Sequence, residues 1–148
     1  MKRALASALA AASIIASAPL FAQQANSQPS AVQAGDYSLD RAHTLVRFTV
    51  DHFGISEFFG TFPGATGTLS IDPTDIASAK LDVSVPVETV STTNATLDEE
   101  LVGEEWFDAE KFPTMRFVST KVVKTGERTA DVTGNLTLHG VTRPVTLK

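Results

Sequence analysis

The chain has 148 residues, no cysteine, and 17 acidic against 12 basic side chains, a net charge of −5 with histidine neutral. Without cysteine no disulfide can staple the fold and no N-terminal lipobox can form. The acidic balance argues against nucleic acid or an anionic membrane surface as partner, because both need a basic footprint.

Residues 1–22 have the layout of a secretory signal peptide. Lys2 and Arg3 precede an uncharged stretch from Ala4 to Ile15, Pro19 breaks any helix, and Ala22 offers a small residue at the expected cut. The apolar run is too short and too rich in alanine to span a bilayer comfortably. Without Lys2 and Arg3, 10 basic residues face 17 acidic ones, a mature charge of −7. Residues 23–35, "QQANSQPSAVQAG", read as a flexible leader, so one domain is expected over 36–148.

From Asp36 onward the pattern is mostly of period two. In "HTLVRFTVDHF" Val46, Phe48 and Val50 share a face opposite Arg47, Thr49 and Asp51. "EFFGTFPGATGTLSID" carries Gly60, Pro63, Gly64 and Gly67, expected as bends or bulges in a curved strand. In "AKLDVSVPVE" the apolar side is Leu81, Val83, Val85 and Val87. The pattern then changes: Leu97 and Leu101 have helical spacing, Thr96 and Glu99 fit a capping box, Asn94 is a competing cap, and Gly103 is the expected stop. Trp106, Phe107 and Phe112 follow as an aromatic anchor, amid seven acids between Asp98 and Glu110 that read as a solvated face.

"MRFVSTKVV" alternates as Met115, Phe117 and Ser119, then shifts phase toward Val122 and Val123. Val132, Leu136 and Leu138 define the next strand, Gly140 turns the chain, and Val145 and Leu147 restart the alternation. One-sided strands with glycine bends predict a mainly β protein whose antiparallel sheet forms a closed or nearly closed barrel.

Catalytic signals are absent. There is no G-x-S-x-G elbow, and His43, His52 and His139 lack the H-E-x-x-H and H-x-H spacings. Asp51 and His52 are adjacent and so face opposite sides of a strand. Hydrogen-bonded structural histidines are expected, with no catalytic or metal residues. Phe48, Phe62, Val83, Val85, Phe117 and Leu136 sit on apolar faces, and Val46, Val50 and Trp106 complete the candidate cavity lining. Alternation alone does not separate a lined cavity from a filled core.

The ordered series "YSLDRAHTLVRFTVDHFG", "FGTFPGATGTLSID", "WFDAEKFPTMRFVST" and "GNLTLHGVTRPVTL" resembles the YceI-like family. His43 and His52 match its two histidine positions, Trp106, Phe107 and Asp108 its motif after the helix. Gly134, Leu136, Gly140, Val141, Thr142 and Pro144 match its strand–turn–strand signature. The resemblance implies an exported, periplasmic, lipocalin-like barrel of eight strands with one short inserted helix. It also implies a cavity for an isoprenoid, a quinone-like lipid or a fatty amphiphile, rather than a filled core or a non-binding interaction module.

Leu97, Asp98 and Glu100 stand where many members carry Arg-Asp and a histidine, so a head-group role there does not carry over. Members continue beyond the "HGVTRPV" hairpin. Lys148 is therefore expected to be a truncation before the closing strand, leaving a sheet edge open, with a homodimer pairing across it as the alternative.

Overall fold

The computed structural model describes residues 28–148. The expected signal peptide and the first five residues of the expected leader, 23–27, lie outside these residues. Pro29–Ala31 form a 3-10 turn, for which proline's fixed φ is suited. The Tyr37 hydroxyl ties this segment to the sheet by donating to the Gln33 carbonyl at 2.8 Å.

Eight strands follow in order: β1 (Gly35–Ser38), β2 (Leu45–His52), β3 (Ser56–Pro63), β4 (Thr66–Ile71), β5 (Lys80–Pro86), β6 (Thr114–Lys124), β7 (Ala130–Leu138) and β8 (Val141–Leu147). Among the described residues one α-helix, α1 (Ala95–Val102), lies between β5 and β6. Every ladder is antiparallel. The mainly β class, the antiparallel pairing and the inserted helix agree with the sequence.

The closed barrel does not. β1, β4, β5, β6, β7 and β8 form one six-stranded sheet in that order, while β2 and β3 form a separate hairpin. β1 and β5 occupy both edges of β4, so β3 does not pair with the strand that follows it in sequence. Instead Thr61 and Ser91 exchange backbone hydrogen bonds, an isolated bridge between β3 and the loop before α1. The outer edges of β2 and β8 have no ladder partner among the described residues.

The ladder register defines the faces. Gly67, Val83, Phe117, Leu136 and Arg143 form a row across five strands on one side of the sheet. The neighbouring row, Thr68, Asp82, Val118, Asn135 and Pro144, lies on the other. Between Ser119 and Lys121 the register slips by a bulge, returning Val122 to the apolar face opposite Val132. This is the phase shift visible in "MRFVSTKVV".

The core sits where the hairpin base, the helix and the start of β6 meet. Phe62, Ala65, Val85, Val87, Val90, Leu101 and Met115 are buried together, with Val46, Phe48, Leu97 and Phe107 packed around them. Burying each large apolar side chain contributes about 1.5–3 kcal/mol. The Asn94 side chain caps α1, accepting from the Thr96 and Leu97 amides at 3.2 and 3.4 Å. Thr96 lies inside the first turn, so the Thr96–Glu99 capping box is not the one used. Gly103 ends the helix in an extended conformation (φ −68°) rather than a left-handed one.

Candidate functional site

The apolar faces of the hairpin and the large sheet turn toward the same core. On the hairpin, Val46, Phe48 and Val50 stand opposite Phe62, Gly60 and Phe58, giving one continuous apolar side. Phe48 and Phe62 pack with ring centroids 5.3 Å apart, and Phe107 meets Phe62 edge-on at 5.5 Å. On the sheet, the matching side runs from Val85 and Met115 through Val83, Phe117 and Leu136 to Val122 and Val132.

Phe62, Val85 and Phe117 are buried, while Val46, Phe48, Val83 and Leu136 are half-buried. Val50 and Trp106 are 51 and 53% exposed. Seven of the nine candidates thus lie where the apolar faces meet or continue; Val50 lies further out on the hairpin and Trp106 on the surface. The aromatic anchor after the helix is Phe107, which enters the core. Phe112 instead meets the His139 ring at a tilt, with centroids 4.6 Å apart.

Arg143 escaped the sequence reading. It shares the apolar row with Phe117 and Leu136, yet carries a cation on β8. The alternation Val141, Arg143, Val145, Leu147 was the available signal, obscured by the interposed Pro144. An open pocket of about 700 Å³ occupies the end of the sheet remote from α1. Val32, Ile71, Ile76, Lys124, Arg128 and Ala130 contribute to its wall, and none of the nine candidates does. Lys124 and Ala130 are nevertheless register partners two positions beyond Val122 and Val132, on the same face.

Polar groups near the core serve the fold. Thr92, buried, donates through its backbone amide and its hydroxyl to one Asp98 carboxylate oxygen at 2.6 Å. The three histidines lie apart: His43 bonds Asp40 at 2.6 Å, His52 contacts the Phe53 ring and His139 the Phe112 ring. The hydrogen bond from His43 and a second from the Ala42 amide hold the Asp40 carboxyl below its ordinary range. Among the described residues no three His, Asp or Glu side chains gather as a metal site.

The profile of the YceI-like domain matches residues 37–148. A UPF0312 protein of Pseudomonas savastanoi pv. phaseolicola is 41% identical over 117 residues, covering 78% of this chain and 61% of that protein. The chain therefore matches about three-fifths of that relative's length. The YCEI protein of Campylobacter jejuni superposes with a TM-score of 0.58 at 35% identity, over 75% of this chain and 65% of that one. A polyisoprenoid binding domain from Saccharophagus degradans shares the fold, with a TM-score of 0.53 at 17% identity over 77% and 65% of the two chains. With its ordered motifs, its antiparallel strands and its helix between β5 and β6, the chain belongs to the YceI-like family.

Proposed function

We propose that this protein is a periplasmic carrier that holds the tail of a long-chain isoprenoid or similar amphiphilic lipid without chemical conversion. The observation that carries the reading is the apolar row of the six-stranded sheet. Val83 and Leu136 on either side of Phe117 remain half-buried, so the face is apolar and only partly covered by the chain itself. The likeness in fold to a polyisoprenoid binding domain supports the same ligand class. A tail lying along this row gains about 0.8 kcal/mol per buried methylene, enough for retention without a polar clamp. The open pocket at the end of the face offers room for a head group beside Lys124 and Arg128.

Lipid extraction of the purified protein followed by mass spectrometry tests this reading. A stoichiometric isoprenoid or quinone-like species is expected, and protein that carries no lipid after expression in lipid-replete cells refutes it. A second reading, a non-binding interaction module, draws on the burial of Phe62, Val85 and Phe117 by the chain's own side chains. Substitution separates the two. Under the carrier reading, Val83→Asp and Leu136→Asp lose the lipid, because a charge there meets the tail with no partner. Arg47→Ala and Asp82→Ala, on the opposite faces, keep it.

A further inference from the structure

The hairpin of β2 and β3 ends in the loop "HFGIS", and the most exposed large apolar side chains of the described residues are there. Phe53 is 86% and Ile55 87% exposed. Val50 and Phe58, on the apolar side of the same hairpin, are 51 and 41% exposed. Such side chains side by side at a protruding tip form a patch that soluble surfaces rarely carry without a use.

The backbone adds an independent observation. Phe53 and Gly54 have φ of 59° and 69°, and the Ile55 amide donates to the His52 carbonyl at 3.2 Å. This is the mirror-image type I turn, whose first central position favours asparagine, aspartate or glycine. Phenylalanine there is sterically costly, and it is also left in water. The loop is held in this shape: the Asp51 carboxylate accepts from the Gly54 amide, and the His52 ring meets Phe53 edge-on at 4.6 Å. What the Phe53 ring adds to the fold is an edge-on contact with the exposed His52, while asparagine would take the turn at lower strain.

We propose that the Phe53–Ile55 tip docks the protein on a neutral lipid bilayer, so that ligand passes between membrane and carrier along the apolar side of the hairpin. The inference rests on the carrier reading for its purpose, though not for its geometry. Three features favour a bilayer over a flat protein partner. The tip is narrow and presents two large apolar residues in three positions. Its apolar side continues inward without a break, from Val50 and Phe58 to Phe48 and Phe62, giving a tail a path to the core. The opposite side carries Asp51 and Glu57 in register, which disfavours an anionic surface and suits a zwitterionic one.

Flotation of the full chain with phosphatidylcholine vesicles, with and without anionic lipid, tests the proposal. Wild type is expected to float with zwitterionic vesicles, and less well with anionic ones. Phe53→Asn and Ile55→Ser are each expected to lower the partition coefficient about tenfold, since each removes one large apolar side chain from the bilayer. Phe53→Asn should also melt no lower than wild type, because asparagine suits the turn. Lipid retention by the isolated variants, read by mass spectrometry, should stay at the wild-type level. Wild type that fails to float, or variants that float equally, overturn the docking proposal and leave the carrier reading standing. A dimer in sedimentation that Phe53→Asn dissociates also overturns it, by assigning the tip to a second copy. Flotation without lipid retention in any variant, wild type included, sinks the carrier reading and leaves tip docking intact.

Discussion

Phe117 reaches across the β6–β7 pair and lays its ring over Gly134, where a β-carbon would collide with the ring and with the Val118 carbonyl oxygen. Phe48 covers Gly60 on the hairpin in the same way. Each pairing lets an aromatic ring lie flat along the sheet, filling space that the missing side chain leaves. Gly134→Ala is accordingly expected to lower stability by about 1–3 kcal/mol in urea melts. Phe117→Ala should cost about 3–5 kcal/mol. In the Phe117→Ala background the alanine at 134 should cost less than in wild type, because one of its two obstacles is gone. On the other face, Arg116 grips Asp82 through two hydrogen bonds of 2.9 and 2.5 Å and holds that carboxyl below its ordinary value of 3.8. The folded value lies below the unfolded one. The pair's contribution is therefore present above about pH 4 and disappears as the pH falls through the folded value. Both groups are exposed, so solvent and salt screen the pair and its contribution is small. Asp82→Asn should flatten the acid limb of the stability curve only slightly, leaving neutral stability almost unchanged.

At the scale of elements, α1 is short, eight residues, and depends on its start. Asn94→Ala removes the cap and should lower stability by about 1 kcal/mol, whereas Thr96→Ala should change little. A larger effect at Thr96, read from thermal melts, would restore the capping box that the sequence also allowed. The helix and the apolar faces of β2, β5, β6 and β7 were legible because local periodicity carries them. So was the last turn: His139 and Gly140, at φ of 50° and 73°, join β7 to β8 with Leu138 opposite Val141. Residues distant in sequence were less legible. The pairing of β4 with β1, through Tyr37 and Leu69, keeps β3 from joining β4, and nothing local announces it. Likewise, the string "WF" does not say that Phe107 enters the core while Trp106 stays half exposed. Of the candidate lining, the strand residues followed from alternation, but how much of that face the chain itself covers depends on the whole topology.

For the whole molecule, the carrier reading implies that a lipid filling the uncovered face acts as part of the core. Protein saturated with its ligand at about a hundred times the dissociation constant should gain about 2.7 kcal/mol over the delipidated form, visible as a higher melting temperature. Equal melting temperatures for the two forms would mean that the lipid binds outside the folded interior. The attachment of the hairpin has a kinetic counterpart. The β2–β3 pair is tied to the rest by the Thr61–Ser91 bridge and the packing at its base, while β5, β6 and β7 are each bonded along both edges. Backbone amides of β2 and β3 should therefore exchange with deuterium through a partial opening of lower free energy than global unfolding, and those of β6 only with the whole domain. If so, the chain consists of two cooperative units rather than one, and the hairpin is the unit whose excursions set how quickly the interior becomes accessible.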